Sequence, residues 1–222
     1  MNLYLFNDAD SAAVYGIGTY IRELTYALDA SDINLHIVHL HSVRLRFEIE
    51  KKNDIEYWYI PEVRYDNSSI NAIQEIEDYY KNVIYLFQLY IKDRKNLIFQ
   101  FNYNNCYSLA RDLKSIFHCK TVAVIHYTKW QLQLHGNRLR IRSIKAKSDN
   151  QRDSFEQMMY TSYEYENALF REVNRVIALS QHMRDTLISE YQLDPNKISV
   201  IPNGVNMDND KTGDEYGTSY RI

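Results

Sequence analysis

Turn-forming residues are scarce in this chain. It has only 3 prolines and 6 glycines in 222 residues, so few positions mark a tight turn, and no stretch reads as an internal repeat or a low-complexity tract. Cysteine is nearly absent as well. Cys106 and Cys119 stand alone without a Cys-x-x-Cys spacing, which argues against a disulfide scaffold or a structural zinc site and for buried free thiols. No apolar run approaches the ~20 residues that span a bilayer. The first residues, Met1 to Asp10, lack the basic flank and long apolar stretch of a signal peptide and read as a first strand, so a cytoplasmic protein is expected. A strong charge of either sign is missing too. A net charge of -3 gives no overall field for holding nucleic acid or an anionic membrane, and any basic site must be local.

Hydrophobic residues make up 45% of the chain, enough for one large domain with a real core. The 20 tyrosines suit sugar-binding and interface surfaces, and they suit a biased base composition equally well. Short apolar runs recur along the chain at Leu3 to Phe6, Leu35 to Leu40, Tyr57 to Ile60, Leu97 to Phe101, Thr121 to Ile125, Arg175 to Leu179 and Ile198 to Ile201. Helical periodicity separates several of them: a segment opened by Tyr15 to Gly18 and running through Ile21, Leu24 and Leu28, then Ile70 to Ile91, Ser108 to Phe117 and Gln181 to Tyr191. Strands alternating with helices predict an α/β fold, a Rossmann-like parallel sheet with helices on both faces. In such sheets ligands bind beyond the carboxyl ends of the strands. That rule nominates Asn7 to Gly18, Asn102 to Asn105, His126 to Lys129, Ser180 and Asn203 to Val205.

Gly16 and Gly18 fall between the first strand and its helix, where missing side chains let backbone N–H groups approach a phosphate. The GxGxxG fingerprint fails, because its third position is Ile21. A structural turn is an equal reading of these two glycines. His126 ends an apolar strand and can offer a hydrogen bond or exchange a proton near neutral pH, although a lone histidine is more often structural. His36, His39 and His41 do not share a strand face and read as structural. Asn137 to Lys147 interleaves Arg138, Arg140, Arg142, Lys145 and Lys147 with Leu139, Ile141 and Ile144. Two readings compete there: a basic flap over an anionic acceptor or a membrane surface, and a solvated loop, with the loop slightly favoured.

Three motifs in order carry a resemblance. Arg175-Val-Ile-Ala-Leu-Ser-Gln-His, followed by Lys197-Ile-Ser-Val-Ile-Pro-Asn-Gly-Val-Asn206, is similar to the end of the N-terminal domain of family 4 glycosyltransferases. Tyr15-Gly-Ile-Gly-Thr-Tyr-Ile-Arg-Glu-Leu24 resembles that family's first glycine loop and helix. Val122-Ala-Val-Ile-His126 resembles its central strand with the active-site histidine. Residues 41 to 95 and 130 to 165 are the least family-like.

The resemblance implies the N-terminal, acceptor-side half of a retaining enzyme with the GT-B fold. It would occupy residues 1–207, with the start of an interdomain linker or a truncated tail at 208–222. By position it implies a catalytic role for His126, a donor-facing loop at Gly16 and Gly18, and an acceptor or cleft wall drawn from Tyr15, Asn102, Tyr127, Thr128, Lys129, Ser180, Asn203 and Gly204. It implies a nucleotide-sugar substrate such as a UDP- or GDP-sugar, a sugar acceptor, no metal or cofactor, and no nucleic acid. The nucleotide-binding C-terminal domain would be a missing partner, since a Glu-x7-Glu pair following a second sheet is absent and Glu48 with Glu56 is a chance spacing. A non-catalytic module that binds an acceptor or a partner subunit, and an NAD-type binding domain, remain as other readings. The NAD reading lacks its third glycine and its acid.

Overall fold

A computed structural model describes residues 1–8, 16–28, 31–63 and 72–204. Tyr15, Val205 and the 208–222 tail therefore lie outside the described residues. The elements in chain order are β1 (Asn2–Asp8), α1 (Ile17–Leu28), β2 (Asn34–Ser42), β3 (Glu48–Lys52), β4 (Ile55–Pro61), α2 (Ala72–Tyr90), β5 (Leu97–Phe101), α3 (Tyr107–Ile116) and β6 (Cys119–Ile125). They continue with α4 (Lys129–Gln133), α5 (Arg138–Ala146), α6 (Ser154–Glu172), β7 (Arg175–Ala178), α7 (Gln181–Tyr191) and β8 (Ile198–Val200).

One sheet of eight strands in the order β3-β4-β2-β1-β5-β6-β7-β8 organises the chain. Every pairing is parallel except β3 with β4. The central strand β1 pairs with β2 on one side and β5 on the other, so Leu3, Tyr4, Leu5 and Phe6 are all buried. An unbroken apolar run is what a strand covered on both faces requires.

The antiparallel β3 departs from the expected all-parallel sheet. It is short and mostly exposed, and it returns through Asn53 and Asp54, whose φ angles of 49° and 62° are those of a tight two-residue hairpin. The stretch 130–165, the less family-like of the later chain, holds α4, α5 and most of α6.

The two faces of the sheet are covered unequally. Phe87 of α2, Leu113 of α3, Phe170 of α6 and Leu187 of α7 share one large core with Phe6, Phe99 and Val176. On the opposite face Ile17 and Ile21 of α1 pack on Leu3, Leu5, Leu35 and Ile37. The chain leaves β1 toward β2 and β4, then crosses to β5 on the other side. The carboxyl ends of β1 and β5 are thus a switch point, where the diverging connections leave a crevice. Asn102 closes its floor, donating from its backbone N–H and its Nδ2 to Phe6 O at 3.3 and 3.1 Å.

Candidate functional site

The rim of this crevice is built from the ends of β1, β5 and β6 and the start of α1. Gly16 precedes α1 at φ +70°, a left-handed backbone in which any L side chain is strained, and a Cβ there would touch nothing within 4 Å. Its glycine is explained by backbone conformation, not by crowding. Gly18 is exposed in the first turn of α1 and lines a 470 Å³ groove with Asn7, Arg22, His39 and Tyr57.

His126 follows directly on β6. Its ring meets Tyr20 of α1 edge-on at 5.0 Å, and Gln100 Nε2 of β5 donates to the Tyr20 hydroxyl at 3.2 Å. Burial lowers the His126 pKa to about 4, so the imidazole is neutral at pH 7. Its Nε2 is buried without a hydrogen-bond partner among the described residues. A neutral, desolvated ring with an unused nitrogen suits hydrogen bonding to a ligand hydroxyl. On the same side of α1, Tyr20 and Gln100 join Ile177, Ile201, Pro202 and Gly204 around a 460 Å³ groove. The groove carrying Gly18 lies on the other side of that helix, so Gly18 and Gly204 line different cavities.

A second cavity of 230 Å³ sits at the ends of β1, β5 and β6, closed by α6 and lined by Asp8, Tyr103, Asn104, Asn105, Tyr127, Lys129, Ser162, Tyr165 and Glu166. Glu166, only 4% exposed, ties its walls together. Its Oε1 accepts from the Lys129 backbone N–H at 2.7 Å and from Asn104 Nδ2 at 3.1 Å. Its Oε2 accepts from the buried Tyr191 hydroxyl, which in turn accepts from Trp130 Nε1 at 3.1 Å. Asn104 Nδ2 also donates to Tyr127 O at 2.6 Å. Desolvation pushes the Glu166 carboxyl up to about 7, against the opposing pull of these donors. One carboxylate thus fixes the backbone on both sides of Thr128, two residues past His126.

The other nominated positions divide clearly. Tyr127 and Lys129 border the 230 Å³ cavity. Thr128 is fully buried and donates to Gln131 Oε1 at 2.8 Å, a bond that starts α4. Ser180 caps α7, its Oγ accepting from the Met183 N–H at 3.1 Å. Asn102 is buried structure, and Asn203 is exposed.

Residues 138–146 form a helix rather than the favoured loop, because Ile141 and Ile144 are completely buried and Asn137 caps its first turn. Its cations are engaged within the domain. Arg140 and Lys147 each reach Glu156 within 2.7 Å, Arg142 holds Glu190 through two bonds at 3.0 and 2.6 Å, Lys145 donates to the Tyr163 hydroxyl at 2.7 Å, and Arg138 donates to Thr186 at 2.9 Å. Both carboxylates are buried, so these charges satisfy the interior before any outside anion.

Sequence reading missed Glu166, Tyr20, Gln100 and Tyr191. A signal for Glu166 existed: it occupies the apolar face of α6 shared by Met159, Tyr163, Leu169 and Phe170, where a carboxylate needs internal partners.

A mostly parallel eight-stranded sheet of this order, with helices on both faces, matches the N-terminal domains of GT-B glycosyltransferases. The sequence profile of Glycosyltransferase Family 4 matches residues 14–209, and the chain belongs to that family. No curated protein matches the sequence. Among solved structures it is similar to sucrose-phosphate synthase from Thermosynechococcus elongatus, with 15% identity and a TM-score of 0.64 over 94% of this chain and 49% of that one. A glycosyltransferase from Rickettsia africae gives 16% identity and 0.55 over 93% of this chain and 44% of that one. A trehalose-6-phosphate protein from E. coli bound with UDP-2-fluoro glucose gives 11% and 0.53 over 93% and 49%. At these identities the likeness is one of fold. The chain spans about half the length of these structures.

Proposed function

We propose that this chain is the acceptor-side domain of a retaining glycosyltransferase that moves a sugar from a nucleoside-diphosphate donor to a glycan, glycolipid or glycopeptide acceptor. The observation that carries the proposal is His126: a neutral imidazole on the switch-point rim, edge-on to Tyr20, with Nε2 buried and unpartnered among the described residues. Such a nitrogen can hydrogen-bond a hydroxyl of the donor sugar and steady charge that develops beside it. The N-terminus of α1, with the bare backbone of Gly16 and Gly18, contributes positive potential at the same rim. Neutralisation of the leaving diphosphate by helix dipoles and cationic side chains needs no metal.

The nucleotide itself is held mainly by a second α/β domain, and this chain alone binds it weakly. Isothermal titration of UDP- and GDP-sugars tests the assignment on the 222-residue chain beside a chain extended past Ile222. Binding by the extended chain only is the expected result. Tight binding by the short chain would overturn the division of roles.

The membrane-contact reading is narrowed by the pairing of Arg140, Arg142 and Lys147 with buried carboxylates. None of the helices among the described residues is long and apolar enough to cross a membrane. The alternative of a non-catalytic module gives the same crevice but no use for a desolvated, unpartnered imidazole.

A further inference from the structure

We propose that the 230 Å³ cavity beside Glu166 receives a single uncharged sugar ring of the acceptor and discriminates against rings bearing a phosphate or carboxylate; this rests on the transferase reading above. The cavity opens at the carboxyl ends of three parallel strands and is bordered by Tyr127, the residue after His126. A ring placed there leaves the grooves flanking α1 to other parts of the substrates.

Size limits the occupant. At ~30 Å³ per water in the liquid, 230 Å³ holds about eight waters. That is room for one hexose ring and too little for a second. The lining chemistry suits a polyol. Tyr103, Tyr127 and Tyr165 offer ring faces and hydroxyls, and Asn105 and Ser162 add neutral polar groups. The Tyr103 side chain, 7% exposed, borders the cavity with its hydroxyl beside that of Tyr80.

Charge selects among sugars. The described lining carries two carboxyl groups, Asp8 and Glu166, and one cation, Lys129, with no arginine. Phosphate and carboxylate recognition relies on the forked donors of arginine or on several convergent cations, and neither is present in that lining. Glu166 Oε1 is already filled by Asn104 and Lys129 N–H, so the carboxylate holds the wall in shape instead of recruiting a cation. A neutral sugar hydroxyl can be met by the tyrosine, asparagine and serine groups of this wall, whereas an anionic substituent would be desolvated in a lining that offers it one lysine and no forked donor.

The test uses the 222-residue chain labelled with 15N and titrated with glucose, galactose, mannose and N-acetylglucosamine, then with glucose 6-phosphate and glucuronate. At least one neutral ring is expected to shift the backbone amides of Asn105 and Lys129 saturably at millimolar concentration. The charged rings should bind at least tenfold more weakly than the best neutral one. Filling the cavity from the partly exposed Ser162 position with Ser162→Phe should abolish those shifts while leaving the amides of α2 and α3 in place. Charged rings binding as well as neutral ones would overturn the selectivity, and no response to any neutral ring would overturn the site. The two readings fail separately: an extended chain that binds nucleotide sugar while these amides ignore every neutral ring removes only the cavity assignment. Neutral rings bound here, with no nucleotide sugar bound by the extended chain, would remove the transferase reading and leave the cavity.

Discussion

Glu166→Gln should make the domain more stable at alkaline pH and leave it almost unchanged at acid pH. In the unfolded chain this carboxyl ionises near its ordinary 4.5, whereas burial in the folded chain lifts it to about 7. A carboxyl whose folded pKa is raised contributes stability that is complete below the unfolded pKa and is lost as pH rises through the folded one. The span from 4.5 to 7, at about 1.4 kcal/mol per pH unit, corresponds to a loss of about 3 kcal/mol between pH 4.5 and 8. The variant's amide oxygen still accepts from the Lys129 N–H and Asn104, so at pH 5 it should match the wild type within about 1 kcal/mol. Above pH 8 it should exceed it by about 2–3 kcal/mol. His126 acts with the opposite sign. Its pKa is depressed from 6.5 to about 4, so its contribution is present above 6.5 and lost as pH falls, equally in both chains. Urea unfolding followed by tryptophan fluorescence at pH 5, 6, 7 and 8.5 measures the difference directly. Two stability curves that stay parallel across that range would refute the reasoning. They would mean that the three donors around Glu166 keep it ionised as readily as in water.

Other consequences can be checked with the same domain or with a longer chain. Tyr191→Phe removes the donor to Glu166 and the acceptor of the Trp130 indole N–H, both buried, and should cost about 1–3 kcal/mol in urea unfolding. A loss under about 0.5 kcal/mol would show that water replaces the hydroxyl. Arg142→Ala strips the buried Glu190 of its two-pronged partner and should lower the urea midpoint, by less at high salt because the guanidinium is half exposed. An unchanged midpoint would show that solvent serves Glu190 as well as the guanidinium does. His126→Ala in a chain that carries out transfer should lower kcat by about 10²-fold or more with the melting temperature nearly kept, as expected for a group that acts on developing charge. Unchanged turnover would remove the imidazole from the reaction.

The apolar runs Leu3–Phe6 and Leu97–Phe101 were legible as strands because both their faces are buried, which leaves an unbroken hydrophobic signature. Gln181–Tyr191 was legible to the residue, framed by Ser180 as its cap and by the left-handed Gln192 at its end. Three linear motifs, each at a strand end, gave the family and placed His126 on the rim. The hairpin at Asn53–Asp54 also had its signal, a two-residue turn pair between apolar-alternating strands, but β3 is so short and charged that its own pattern is weak. Helix α5 was hidden because its four cations are interleaved with its apolar residues. Its stability comes from Ile141 and Ile144 against the core and from Glu156 and Glu190 on other helices.

Local order in the chain determined the strands, most of the helices, the glycine turn and the histidine's place at a strand end, since each depends on neighbours within a few residues. Tertiary structure alone decided the rest. Glu166 meets Asn104, Lys129 and Tyr191 across separations of 62, 37 and 25 residues. His126 meets a tyrosine of the first helix, far away in sequence. Burial, which sets the pKa of both groups in opposite directions, is a property of what the whole sheet and its helices exclude from water, and no local pattern encodes it.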